Sequence, residues 1–283
     1  MNKAEAIKSR FTAMTHSTLD LHVVDRVVDI LAESRSLLFI TGAGISADSG
    51  LPTYRGIGGL YNADHPEEGF PIEAILSGEM IQVRPELTWK YLGQIEQAAR
   101  GTTFNRGHEV IVAMERHFPR VWTLTQNVDG LHRRAGSKNL LEIHGSLHRL
   151  RCPACDFCCD VEDYSKLTIP PHCTACQSML RPDVVLFGEE LPLATVELLY
   201  AELDVGFDAI FTIGTTSVFP YIASPVHLAR RRGWPTVEIN PGRSSVSDYV
   251  DVRLATGAAS ALDAIWRRYH ERRLGCRTPG EGG

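Results

Sequence analysis

The chain has 283 residues, 43% of them hydrophobic and 22% charged, with a formal net charge of −5. Such a chain suits a globular protein with one main core and a smaller appended unit, and its mild acidity argues against nucleic acid or an anionic membrane as a direct partner. No apolar run approaches the ~20 residues that span a bilayer, and the first 18 residues lack the apolar core of a secretory signal. A cytoplasmic location is expected.

In chain order, Leu19 to Ala32 repeats its apolar residues with a helical period that ends near Glu33. Leu37 to Thr41 is a short apolar run of the kind that a strand buried on both faces requires. Gly42-Ala43-Gly44-Ile45-Ser46-Ala47 follows at once. Glycines there allow a sharp turn and close approach to a ligand, and the next amides can face a phosphate. By itself this six-residue pattern also fits a plain Gly-rich turn. A dinucleotide-dependent dehydrogenase would continue through a helix into a strand ending in an acidic residue. Here Ser49-Gly50-Leu51-Pro52 cuts the helix short, and Gly56, Gly58 and Gly59 follow. Hydride transfer is therefore disfavoured.

From Pro52 to Glu79 the sequence is polar and poorly periodic, as in a loop with short helices. Pro85 opens a helix carrying Tyr91, Leu92, Ile95 and Ala99, and Gly101 stops it. A second helix covers about 107 to 117. Val121 to Thr125 reads as a strand running into Gln126-Asn127-Val128-Asp129, polar residues at a carboxyl end where open α/β sheets bind ligands. Leu141 to Gly145 reads as a further strand, with His144 at its end.

Six of the seven cysteines lie between Cys152 and Cys176. Cys152-Pro-Ala-Cys155 and Cys173-Thr-Ala-Cys176 are two knuckles whose four thiolates can close a tetrahedron around one structural zinc. Cys158 and Cys159 are expected to be spectators. Beyond them, Asp183 to Phe187 is extended, and Ala209 to Ile213 is a strand feeding Gly214-Thr215-Thr216-Ser217. Ser224 and Pro225 suggest a helix start, with its end at Gly233. Thr236 to Ile239 is a strand ending in Asn240; Leu262, Ile265, Trp266 and Tyr269 share a face of a last helix, and the tail from Arg272 reads as disordered. The sum is an α/β chain: a Rossmann-like doubly wound parallel sheet, a nucleotide across its carboxyl edge, and a zinc module inserted.

Taken together, these residues resemble the sirtuins, NAD-dependent protein lysine deacylases, in a bacterial-type form. The likeness covers roughly residues 20 to 270. It rests on Gly42 to Ser46, Ser49 to Arg55, Asn105-Arg-Gly-His108, Thr125 to Asp129, Glu142-Ile-His-Gly145, the two knuckles, Arg181 to Glu189, and Gly214-Thr215-Thr216. It implies a Rossmann-like NAD-binding domain from residues 1–51, 120–145 and 182–270. A small helical and zinc-ribbon domain would come from 52–119 and 146–181, with 271–283 as a flexible tail.

The resemblance also implies roles. Gly42, Ala43, Gly44, Ser46, Thr53, Tyr54 and Arg55 would hold NAD, the co-substrate. Gln126 and Asn127 would position the nicotinamide ribose, and Val128 and Asp129 would bind the carboxamide. Gly214, Thr215, Thr216, Asn240 and the backbone near Ala259 would serve phosphate, ribose and adenine. Val185, Phe187, Gly188 and Glu189 would hold an acyl-lysine protein or peptide, the last two by pairing with its backbone as an added strand. His144, aided by Asn127, would be the catalytic base that takes a ribose hydroxyl proton while the acyl group moves to ADP-ribose.

Tyr54 stands where many members have Phe, which adds a hydroxyl in need of a partner. Leu92 and Ile95 occupy the helix positions at which members that accept acidic acyl groups carry Tyr and Arg, so an apolar acyl group, acetyl or longer, is expected. The same NAD site could serve protein mono-ADP-ribosylation instead. A zinc-ribbon interaction module without catalysis would leave the polar strand ends unexplained. Oligomeric state is not written in the sequence.

Overall fold

The computed structural model describes residues 19–53 and 69–275. In chain order the elements are α1 (Leu21–Glu33), β1 (Ser36–Thr41), α2 (Ala43–Ala47), α3 (Ile72–Ile75), α4 (Met80–Val83), α5 (Pro85–Ala99), α6 (Arg106–His117) and β2 (Arg120–Thr125). Next come α7 (Leu131–Ala135), β3 (Leu140–Glu142), β4 (Gly145–Arg151), β5 (Cys158–Asp160), β6 (Arg181–Val184) and α8 (Leu193–Val205). The chain closes with β7 (Ala209–Ile213), α9 (Pro220–Arg232), β8 (Thr236–Ile239), β9 (Val252–Leu254) and α10 (Ala258–Gly275). The described residues divide into two compact units: those within Met1–Asp48, Asn105–Trp122 and Gly206–Gly283 in one, those within Ser49–Phe104 and Thr123–Val205 in the other.

A six-stranded sheet has the order β3-β2-β1-β7-β8-β9. The registers of β1 with β7, β7 with β8, β8 with β9 and β2 with β3 are all parallel. The order reverses between β1 and β7, and a reversal of this kind opens a crevice at the carboxyl ends of the two strands.

In the first unit, successive side chains alternate across the sheet. Leu37 and Phe39 of β1, Ala209, Phe211 and Ile213 of β7, and Val237 and Ile239 of β8 join one core cluster. Val24, Val27, Val28 and Leu31 of α1, Val110, Ile111 and Met114 of α6, and Leu262, Ile265 and Trp266 of α10 complete it. Phe39 and Phe211 meet at 5.1 Å between ring centroids. On the opposite face α9 buries Ile222, Val226 and Ala229.

The second unit holds an antiparallel sheet, β5-β4-β6, and two smaller cores. One joins Ile72, Ile75, Leu87, Tyr91 and Leu92 to Leu147, Val184 and Leu186. The other gathers Trp89, Leu150, Cys152, Tyr164, Cys173 and Leu180.

Three expectations change. The helix predicted from Ser224 starts at Pro220 instead, with Pro225 inside it. A proline at the first position loses no intrahelical bond, so Pro220 is the better start, and Pro225 forfeits only the amide that would reach Tyr221. Ile143 and His144 lie in a turn after β3. Gly145, at φ +77°, makes that turn, because a Cβ there would lie 1.9 Å from the Asp183 carbonyl oxygen. Finally, α10 runs on to Gly275, past the expected end at Arg272. Arg272 pairs with Asp25 and Asp29, and Arg273 bonds the Tyr269 hydroxyl, which ties down the last turn.

Candidate active site

The predicted residues are divided between the two units. In the first, the turns after β1 and β7 meet backbone to backbone. The Gly42 amide donates to the Ile213 carbonyl at 3.0 Å and the Gly44 amide to that of Gly214 at 2.8 Å. A Cβ on Gly44 would stand 2.5 Å from the Cα of Gly214, and one on Gly42 2.8 Å from the Gly214 oxygen. Only glycine permits this approach, and Gly214 also adopts φ +58°. The cradle is thus built at the point where the strand order reverses.

Its surroundings are pinned. Asn105 caps α6, accepting from the Gly107 amide, while its own amide group donates to the Ile45 carbonyl at 2.7 Å. The Nδ1 of buried His108 accepts from the Asn105 amide, completing a capping box. Asn240 donates from its side chain to the Thr215 carbonyl at 2.8 Å and accepts from the Gly242 amide. Ser245 binds the Thr216 and Ser217 carbonyls. Ser46 and Thr215 are buried, and Ala43 and Thr216 are half-buried. The Ala259 amide, expected near the adenine, donates to the Asp48 carboxylate at 2.8 Å.

Asp48 is a site residue that the sequence reading did not single out. The available signal was an acidic residue at the C-terminal end of the short helix, just before Gly50.

In the second unit, the segment after β2 is stitched to β4 and to the turn before it. The Asn127 amide donates to the Thr125 hydroxyl, and the Val128 carbonyl accepts from the Leu147 amide. The Asp129 carboxylate accepts from the Leu131 amide at 2.9 Å. Asn127 and Asp129 are both buried. His144 places Nδ1 2.9 Å from the Gln126 carbonyl oxygen. A carbonyl only accepts, so Nδ1 carries the proton and Nε2 keeps its lone pair. Burial lowers the His144 pKa, and the bond to Gln126 offsets only part of that, so it lies below the ordinary histidine value. The ring is neutral at pH 7 and able to accept a proton.

The His144 carbonyl in turn accepts the Val185 amide at 3.0 Å, which joins the predicted base to the predicted substrate strand. Phe187 pairs with Ser77 as a parallel bridge, giving its amide to the Leu76 carbonyl and its own carbonyl to Gly78. Gly188 takes φ +81°. Glu189 gives its amide to the Leu186 carbonyl and its carboxylate to Arg181. Thr53 is half-buried; Tyr54 and Arg55 lie outside the described residues.

Cys152, Cys155, Cys173 and Cys176 hold their four sulfurs within 4.8 Å of one another. Cys152 and Cys176 are 3.5 Å apart and Cys155 and Cys173 3.7 Å. Four sulfurs at ~2.3 Å from a zinc ion in a tetrahedron would lie ~3.8 Å apart, so the set fits that metal. The Ala154 and Ala175 amides approach the sulfurs of Cys152 and Cys173 at 3.4 Å, as donors that help stabilise thiolates. Among the described residues the cluster contains only these four. Cys158 and Cys159 sit on β5, the first exposed beside Arg149.

Fold and sites define an NAD-type α/β protein with a zinc ribbon, and sequence comparison identifies its kind. Residues 42–220 match the model of the Sir2 family, and the chain belongs to that family. It is 49% identical over 242 residues to NAD-dependent protein deacylase 2 of Pseudomonas aeruginosa, across 84% of this chain and 94% of that protein. A mutant Sir2 homologue in complex with ADP ribose superposes with a TM-score of 0.80 at 33% identity, covering 90% of this chain and 99% of the other. Another, with 2'-O-acetyl ADP ribose, superposes at 0.79 with 34% identity, covering 87% and 96%.

Proposed function

We propose that this protein removes an acyl group from a lysine side chain of a protein or peptide, consuming NAD. With one water consumed as well, the products would be nicotinamide, the free lysine and 2'-O-acyl-ADP-ribose. The observation that carries this reading is His144: a neutral imidazole with its Nδ1 proton committed to Gln126 and its backbone bonded to Val185. A residue so held can take a proton at Nε2 beside the strand that would present the substrate.

The residues fit NAD as co-substrate. The glycine pair at 42 and 44 and the turn at 214 leave backbone where a Cβ would block, and the Ser217 hydroxyl is buried without a partner among the described residues. When bound, NAD would supply the electrophilic ribose carbon whose bond to nicotinamide breaks. The chain's part is to position and to move one proton. Gly42, Ala43, Gly44, Ser46, Thr53, Tyr54 and Arg55 would hold the phosphates and nearer ribose, with Gly214, Thr215, Thr216, Asn240 and the chain near Ala259 around the adenosine. Gln126, Asn127, Val128 and Asp129 would orient the nicotinamide end. His144 would take a proton from a ribose hydroxyl. Val185, Phe187, Gly188 and Glu189 would hold the acyl-lysine segment, Val185 through its carbonyl. Zinc on the four knuckle cysteines would be structural, since four thiolates leave no position open.

The test is mass spectrometry of an acetyl-lysine peptide incubated with NAD and the purified protein. Deacetylated peptide with acetyl-ADP-ribose is the expected result. A protein product heavier by one ADP-ribose, with the peptide still acetylated, would support the mono-ADP-ribosyltransferase reading in its place.

A further inference from the structure

The segment between β6 and Glu189 is shaped by one side chain that the deacylase reading leaves without a role. Arg181 opens β6 and is only 7% exposed. Its guanidinium reaches over the following turn and closes it at both ends. Nη2 donates to the Val184 carbonyl at 2.8 Å. Nη1 and Nη2 hold the two carboxylate oxygens of Glu189 at 2.5 and 2.8 Å, a bidentate pair. The same carboxylate accepts the Leu186 amide at 2.9 Å, and the Glu189 amide returns to the Leu186 carbonyl.

Glu189 is also seated sterically: a Cβ on Gly78 would stand 2.6 Å from its Cγ. From the neighbouring Leu76–Gly78 segment come the two backbone bonds to Phe187. Burial works against ionising Glu189, but the Arg181 guanidinium and the Leu186 amide outweigh it and hold the carboxyl below its usual range. The six residues from Val184 to Glu189 are thereby fixed around one ion pair, with Val185 and Gly188 among them.

We infer that Arg181 is a positioning residue for substrate recognition: its bidentate pair with Glu189 preforms the edge on which an extended acyl-lysine peptide docks. The inference rests on the deacylase reading and deepens its substrate side. A peptide that adds a strand gains affinity from backbone bonds, and a preformed edge spares the entropy of ordering the loop at binding. Arginine is required because the task needs a planar fork with several fixed donors. Lysine offers a single point charge on a flexible stem and cannot hold both oxygens and the Val184 carbonyl together.

The experiment measures binding of a fluorescein-labelled acetyl-lysine peptide by anisotropy without NAD, and steady-state kinetics in both substrates. The variants are Arg181→Lys and Glu189→Gln, each checked by thermal unfolding. Arg181→Lys should weaken peptide binding and raise the peptide KM about tenfold, leaving the KM for NAD within about twofold. Glu189→Gln, which keeps one acceptor for the fork, should give a smaller shift in the same direction. If Arg181→Lys does not fold, the Glu189→Gln shift decides alone. Unchanged peptide binding in the folded variants overturns the inference, as does a loss in which both KM values and kcat change together with the melting temperature. Failure of the wild-type protein to turn over the peptide at all would instead overturn the deacylase reading.

Discussion

His144 sits in a two-residue turn, and the reason a histidine can serve there is local. Gly145 turns the chain from the parallel sheet into the ribbon, and the ring then lies against the Gln126 carbonyl. That bond fixes both tautomer and orientation, so no carboxylate partner is needed to aim Nε2. His144→Ala should leave the fold intact and reduce kcat by about 10²- to 10⁴-fold, the usual loss for a general base. Near-normal turnover by the folded variant would remove His144 from the mechanism. The wild-type pH profile checks the same residue. Its folded pKa is lowered, chiefly by burial, so the neutral, active form persists further into acid than for a free histidine. Activity should be full at pH 7 and fall as pH drops through the folded pKa, with a midpoint in kcat/KM below about 6.5. An acid limb centred above pH 7 would contradict the assignment.

At the scale of elements, the zinc ribbon is the part least able to stand on its own. From Cys152 to Leu180 the chain has one three-residue strand, β5, and its core gathers Trp89, Leu150, Cys152, Tyr164, Cys173 and Leu180. So few buried side chains cannot offset the entropy of ordering nearly thirty residues, and metal ligation must contribute folding energy. Trp89 is fully buried in this core and meets the Tyr164 ring at 5.5 Å, so loss of metal should reach α5. One zinc per chain is expected by metal analysis. Chelation, or Cys155→Ala, should abolish it, weaken the near-ultraviolet circular dichroism and lower activity, while Cys158→Ala retains it. Zinc loss from Cys158→Ala with retention in Cys155→Ala would overturn the ligand set. The elements legible in advance were those with a clean local signal: the β1 and β7 strands as apolar runs ending in glycine, α5 between Pro85 and Gly101, and the two cysteine knuckles. α8 had no such signal. It buries Leu199 and Leu203 but exposes Leu193, Leu198, Tyr200 and Val205, so no single apolar face repeats.

For the molecule as a whole, what the sequence could not supply was pairing between distant segments. β1 lies beside β7, and the Gly42 and Gly44 turn is shaped by Gly214, with most of the chain between them. Likewise α6 and α10 share a core that no local period announces. Substrate choice is a property of this same order, because it depends on which side chains surround the segment that would carry the acyl-lysine. In the second unit, Leu92 of α5 is 3% exposed and packs in a cluster with Tyr91, Leu147, Val184 and Leu186, with Ile95 against it. Val184 and Leu186 flank Val185, so the neighbourhood of the predicted lysine contact is apolar. The arginines that bracket α5 are already engaged: Arg84 lies 3.5 Å from Glu86, and Arg100 pairs with buried Glu96 at 2.5 Å. None of the described residues in this cluster is a cation, so a carboxylate placed there would lose its hydration unpaired, at a cost of several kcal/mol. An acetyl or longer alkyl chain would instead gain ~0.8 kcal/mol per buried CH₂. Acetyl, butyryl and myristoyl forms of one peptide should therefore be turned over at least about a hundredfold more efficiently than the succinyl form, as kcat/KM. A succinyl peptide preferred over the acetyl one would mean that a cation reaches the acyl group from residues other than Arg84 and Arg100.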